Sequence, residues 1–377
     1  MKILKRGDSW QDPSLYLKKI FIDRSCTNDP YAEEIIGRAD LPVTIIDEVD
    51  CPSIIKGVYP ENLSEGKTVL LLSKNKGTFL KDCPATREYQ CCDYKVINIG
   101  TGCPMDCTYC ILQAYLNNPY QSFFTNVKDM FRELTDELAQ DSRFLRIGTG
   151  EFTDSMALDR ITGMSRKLIS FFADKDNCVL ELKTKSGYIE NLRDLDHNRR
   201  TVMAWSLNSE EIVMREEMRA ATIDERLEAA AVCSKLGYHL AFHFDPIIAY
   251  PGWEQGYENT IQKLFEKVPA SSIRWISLGG FRYIPKLKQI GTKRFPRSKI
   301  YHHEFIEGLD AKQRYFRPLR VQLYHSIYSL IKQFADPRTC IYFCMESDEI
   351  WKEVMGFTPG EYGGLPRMLD NSVNNYG

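Results

Sequence analysis

The amino-acid sequence predicts an α/β fold: a partial TIM-type (βα)6 barrel over residues 94–284, an N-terminal extension over 1–93 and a C-terminal extension over 285–377. Three observations predict it. Six short apolar, strand-like runs recur from residue 94 onward, helical patterns lie between several of them, and small or polar residues follow each run. Alternation of this kind implies a parallel sheet with helical crossovers. Six units are too few for a closed eight-stranded barrel, and periodicity alone leaves an open doubly wound sheet as the alternative.

The first strand is expected at 94–99, followed by a helix that places Val127, Phe131, Leu134 and Leu138 on one face after a cap at Thr125 or Asn126. A second strand at 144–147 precedes a helix marked by Leu158, Ile161 and Leu168. Further strands are expected at 179–183, 201–207, 238–244 and 273–278. Helices marked by Ile223, Leu227, Ala230 and by Tyr257, Ile261, Leu264 lie between them. In the flanks, an extended run at 68–72, a helix near 321–334, a short strand at 340–343 and a helix from Ser347 are expected. Chemistry on parallel barrels gathers at the carboxyl ends of the strands. Here those ends carry Gly102-Cys103, Gly148 to Glu151, Thr184-Lys185, Ser206 to Asn208, His243 to Asp245 and Gly279 to Arg282.

Composition narrows the class. Hydrophobic residues make up 43% and charged residues 27% of the 377, ordinary for a globular chain. A net charge of −2 supplies no global attraction for nucleic acid, so any such binding needs a local patch. The opening residues offer no apolar signal core and no run approaches membrane-spanning length, so a cytoplasmic protein without membrane contact is expected. Twelve cysteines without a secretory signal suggest metal ligation or thiol chemistry where they cluster.

The densest cluster is Cys103-x3-Cys107-x2-Cys110, on a loop after the first strand. Closely spaced thiolates on an irregular loop can wrap one corner of an iron–sulfur cube, and three ligands leave one iron open. Structural zinc would want a fourth ligand nearby, and the next histidine is His197. The site is read as a [4Fe–4S] cluster on Cys103, Cys107 and Cys110. Cys83, Cys91 and Cys92 are candidates for a second cluster, although adjacent cysteines rarely share one metal.

This loop, with an aromatic residue before its third cysteine, resembles the radical S-adenosylmethionine (SAM) superfamily. The resemblance implies SAM on the open iron, one-electron cleavage to a 5′-deoxyadenosyl radical, and hydrogen abstraction from the substrate. An external reductant of the flavodoxin or ferredoxin type would supply the electron. Further along, Cys110 to Gln113, Pro119-Tyr120, Asn126-Val127, Ser206 to Asn208, Arg226 to Ala230 and Pro246 to Tyr257 resemble the spore photoproduct lyase family, over about residues 75–320. That family repairs a methylene-bridged thymine dimer in DNA. The resemblance places Thr153, Lys185, Ser206 and Asn208 near SAM and Tyr109 beside the cluster. It makes Arg314-Tyr315 the pair on a hairpin that enters DNA near the lesion.

Two positions depart from the family. Glu151 stands where the lyase has its hydrogen-donor cysteine, and a carboxylate cannot donate a hydrogen atom. Instead Gly148-Thr149-Gly150-Glu151 resembles the motif that holds the methionine amino group in many radical SAM enzymes. Ile111 replaces a tyrosine that relays the radical. Cys344, on a C-terminal strand face with Cys340 and Tyr342, is the candidate substitute thiol. Lys293, Arg294 and Arg297 lie in an acid-free run of six cations, with aromatic residues and Arg314-Tyr315 following, a combination suited to DNA phosphate contact and wedging. A radical SAM enzyme on a small molecule or peptide, and a non-catalytic redox sensor, are the alternatives.

Overall fold

A computed structural model describes residues 10–47, 54–84 and 88–374; most of the opening segment read for a signal lies outside them. The central sheet has eight strands in the order Cys340–Phe343, Ile273–Gly280, His239–Ile247, Thr201–Ser206, Cys178–Thr184, Leu145–Gly148, Lys95–Ile97, Leu80–Asp82. The first seven are parallel and the last is antiparallel. The sheet curls into a partial barrel. All six strands expected in the barrel form within a few residues of their predicted bounds.

The strands are buried almost along their whole length, as expected of parallel strands covered on both faces. The helices cover them through periodic apolar faces: Val127–Gln140 buries Met130, Leu134 and Leu138, each four residues on from the last. Ile223–Lys235 starts at a capping box, with Thr222 and Glu225 satisfying each other's backbone N–H groups.

Two features exceed the sequence reading. The strand 340–343, expected as a flank, pairs with the barrel in the register Leu278↔Phe343 and brings Cys344 to the rim. The N-terminal region builds a second sheet in the order Val43–Ile46, Lys19–Asp23, Val69–Ser73, Gln121–Phe124, Gly100–Thr101. Its last two strands come from residues that flank the cysteine loop, and Leu80–Asp82 joins the barrel, so both sheets cross the boundary expected at 93/94. A three-stranded antiparallel sheet of Arg282–Tyr283, Gln313–Tyr315 and Phe305–Glu307 stands at the barrel mouth. Among the described residues no helix is long and apolar enough to cross a membrane.

Candidate active site

The cysteine loop is tied down on every side. Gly102 opens it at φ +80°, where a side chain would be strained, and its N–H donates to the Phe152 carbonyl at 2.9 Å. Asp106–Cys107 pairs antiparallel with Glu217–Met218. The Lys67 ammonium donates to the carbonyls of Cys103 (2.8 Å) and Met105 (2.6 Å), and the Gln113 amide donates to that of Cys107 (3.0 Å). Such bonds satisfy backbone groups of a loop whose own ladder is only two residues long.

Cys103, Cys107 and Cys110 all line one cavity of about 380 Å³ at the carboxyl ends of the strands. Burial pushes the Cys103 thiol up to about 12 and that of Cys107 upward, so both need a cationic centre to ionise. Among the described residues no three His, Cys, Asp or Glu side chains close on a single ion. Three thiols on one short loop suit a cube with one open iron better than tetrahedral zinc, which wants four protein ligands.

Thr153, Lys185, Ser206, Glu151, Tyr109 and Cys344 line the same cavity. Lys185 holds its ammonium 5.7 Å from the centre of the Tyr109 ring. The Tyr109 hydroxyl donates to Glu217, a buried carboxylate bound in turn by Arg226. Burial works against the Glu217 charge, yet Arg226 and Lys185 hold its pKa below the ordinary value. Arg226 also donates to the carbonyls of Ser206 (2.8 Å) and Ala221 (2.9 Å), joining the fourth barrel strand to the cysteine loop.

Asn208 does not line the cavity. Its amide donates to the Pro246 carbonyl (2.8 Å) and its oxygen accepts from Tyr257 (2.6 Å), so it braces the rim from beneath. Glu151 faces the cavity but pairs with Lys183 at 2.6 Å, so its carboxylate already holds an ammonium of the protein.

Sequence reasoning missed much of the remaining wall. Glu181 accepts from Trp275 at 3.0 Å and meets His243 Nε2 at 2.8 Å, while His243 Nδ1 meets Ser277 at 2.7 Å. Burial opposes the Glu181 charge, but His243 and Lys183 hold its carboxyl down to about 2. Arg282 binds Asp245 through two bonds of 3.0 and 3.1 Å and donates to the Cys344 sulfur at 3.5 Å. His243, Asp245 and Arg282 occupy strand ends, which was the available signal. Glu181 lies mid-strand and offered none. Cys83, Cys91 and Cys92 line the cavity too.

The basic segment divides. Lys293 and Arg297 are exposed, as are Lys286, Lys288 and Lys299. Arg294 is turned inward, its side chain 5% exposed, bound to Asp106 at 3.0 Å and to Gln113; it holds the cysteine loop and does not face solvent. Arg314 and Tyr315 are also buried. Arg314 binds Asp310 (2.8 Å) and the Met345 carbonyl (3.2 Å), and the Tyr315 hydroxyl accepts from the Ala249 N–H (3.0 Å). In this structure the pair braces the base of the hairpin, whose tip instead exposes Leu309 at 74%.

A family model described as spore photoproduct lyase matches residues 82–352. The spore photoproduct lyase of Bacillus subtilis (strain 168) is 26% identical over 324 residues, covering 84% of this chain and 91% of its own length. That of Geobacillus sp. (strain Y412MC61) is 27% identical over 295 residues, covering 75% and 84%. The fold matches, at TM-score 0.78 and 22% identity, a solved spore photoproduct lyase double mutant with bound AdoMet and dinucleoside spore photoproduct, over 87% of this chain and 99% of that one. With the cysteine loop and all but the margins of the cavity and the curled sheet inside the matched span, the chain belongs to the spore photoproduct lyase family.

Proposed function

We propose that the chain is a radical SAM enzyme acting on a DNA lesion of the thymine-dimer type, with Cys103, Cys107 and Cys110 as ligands of its [4Fe–4S] cluster. One observation carries this reading: the three thiols share a single cavity with Lys185, Thr153 and Ser206, the residues the family resemblance assigns to SAM. A related protein solved with AdoMet and a dinucleoside photoproduct supports the same substrate class. When bound, the cluster and SAM supply a 5′-deoxyadenosyl radical that removes hydrogen from the substrate.

The protein's part is to position and enclose. Lys185 brings a positive charge to the cysteine loop and suits the carboxylate of SAM. Tyr109, Glu217 and Arg226 lock the loop against the strand that ends in Ser206. Residue 151 returns no hydrogen, because it is a carboxylate held by Lys183. Exposed Lys286, Lys288, Lys293, Arg297 and Lys299 offer phosphate contacts beside the hairpin, and Leu309 at its tip is an apolar wedge. A flavodoxin- or ferredoxin-type reductant in the cytoplasm would complete the system.

The test is anaerobic incubation of the reconstituted protein with SAM, reductant and irradiated DNA, following 5′-deoxyadenosine and thymine dimers together. The wild type is expected to form the nucleoside and to lower the dimer content. Cys107→Ala is expected to do neither. Nucleoside formation by that variant, or unchanged dimers with the wild type, would refute the corresponding half of the reading.

A further inference from the structure

Lys67 does not line the large cavity; it lines a separate void of about 20 Å³ together with Cys103, Cys110 and Gln121. Backbone packing puts it there. A side chain at Gly66 would come within 2.2 Å of the Pro119 carbonyl, so glycine lets this segment press against the residues that follow the cysteine loop. The Gln121 amide donates to the Lys67 carbonyl at 2.7 Å, and the Lys67 N–H donates to the Leu63 carbonyl at 3.0 Å. From this fixed base the ammonium donates to the carbonyls of Cys103 at 2.8 Å and Met105 at 2.6 Å. The first of these belongs to a cluster ligand of the proposed function.

The Lys67 side chain is 7% exposed, and a charge buried so far is tolerable only when it is paired. Its pairing within the protein is incomplete. Asp106 stands 3.9 Å from the ammonium, and that carboxylate is already held by Arg294 through two bonds of 3.0 Å. Arg219 adds a further cation, donating to the Pro104 carbonyl at 3.0 Å. Two more buried carboxylates lie behind the loop and are engaged elsewhere. Glu217 is matched by Arg226, and Glu216 accepts from Thr108 at 2.6 Å and Ser298 at 2.8 Å. The backbone from Cys103 to Met105 therefore lies against positive charge that carboxylates answer only in part. A cube on three thiolates is anionic and answers the rest. The void beside Lys67 has room for about one water, so bulk solvent does not screen the interaction.

We infer that Lys67 sets the reduction potential of the cluster on Cys103, Cys107 and Cys110, its buried ammonium favouring the reduced state. The inference rests on the proposed cluster assignment. One-electron reduction adds negative charge to a centre that is already anionic, and surrounding charge is one of the levers on a cluster's potential. A fixed cation nearby stabilises the reduced form more than the oxidised one, so it raises the potential. Lys67 thereby eases entry of the electron that the external one-electron reductant delivers. It is a positioning residue, acting through the cluster from outside the cavity that SAM and the substrate would share.

A reductive titration of anaerobically reconstituted full-length protein, followed by low-temperature EPR without SAM, tests this. Iron counts and circular dichroism accompany each variant. Lys67→Gln keeps a donor for the loop carbonyls and removes the charge. Its cluster is expected to be about tenfold less reduced at a fixed solution potential, a downward shift of about 59 mV for a one-electron couple. Lys67→Arg keeps the charge and is expected to titrate with the wild type. Asp106→Asn removes the buried counter-charge and is expected to shift the potential upward, which decides the matter if Lys67→Gln holds no iron. A purely structural role for Lys67 predicts lower iron content with an unchanged potential in the clusters that remain. A wild-type potential in Lys67→Gln, an equal fall in Lys67→Arg, or no rise in Asp106→Asn would each overturn the inference. A wild type that takes up no cluster would overturn the cluster assignment and the inference with it, whereas a loaded wild type confines any failure to the role of Lys67.

Discussion

Tyr109, Glu217 and Arg226 form a buried chain of charge and hydrogen bonds directly behind the cysteine loop, with the arginine and glutamate side chains 0% and 1% exposed. A charge buried this deeply is tolerable only while paired. Arg226→Ala should therefore cost about 3–5 kcal/mol, because it strands Glu217. The double variant Arg226→Met/Glu217→Gln should recover part of that loss, and urea denaturation of the three proteins measures both. Single-residue chemistry was only partly legible in the sequence. The loop cysteines announce themselves by spacing, and Thr153, Lys185 and Ser206 sit where strands end. The partnership of Tyr109 with Glu217 spans 108 residues, and no local pattern encodes it. Glu151 illustrates the same gap: its neighbours invite a ligand-holding role, while its ion pair depends on a lysine from the next strand.

At the scale of elements, the helix Pro285–Arg294 faces two ways. Its inner side sends Arg294 to Asp106 beneath the cysteine loop, and its outer side presents Lys286, Lys288 and Lys293 to solvent. Each phosphate contact releases counterions, so neutralising Lys293 and Arg297 together should lower the slope of log affinity against log salt by about 2 for irradiated duplex DNA. Fluorescence anisotropy across a salt series measures it, and an unchanged slope would remove this surface from the DNA interface. Arg294 belongs in a separate experiment, since its loss would disturb the loop instead. The basic run was readable as a run, but which of its members turn inward was not, because Asp106 lies 188 residues away. Strands fared better. Each barrel strand is an apolar run bounded by polar ends, whereas the second sheet depends on pairing between segments far apart in the chain.

For the molecule as a whole, acid should act through His239 before it acts through most carboxylates. This side chain is 4% exposed at the start of a barrel strand, and burial, reinforced by Arg274, holds its pKa down to about 3. The unfolded chain would take up its proton near pH 6.5. The folded state thus keeps this contribution in full above pH 6.5 and loses it progressively between 6.5 and 3, at about 1.4 kcal/mol per pH unit. His239→Gln should flatten that part of the stability profile, as seen in the urea midpoint between pH 7 and 5. The buried Glu181 carboxylate acts lower, losing its contribution only as pH falls from the ordinary glutamate range toward about 2.

The second sheet takes one strand from just before the cysteine loop, at Gly100–Thr101, and another from just after it, at Gln121–Phe124. The loop is consequently slung between two paired strands, the second of which joins the amino-terminal sheet through Val69–Ser73, while Lys67 grips the loop's carbonyls. On the proposed cluster assignment, disrupting the sheet of Lys19–Asp23, Val43–Ile46 and Val69–Ser73 should lower iron loading. Any chimera that transplants this barrel must carry its amino-terminal sheet along, or the metal mount will travel without its frame.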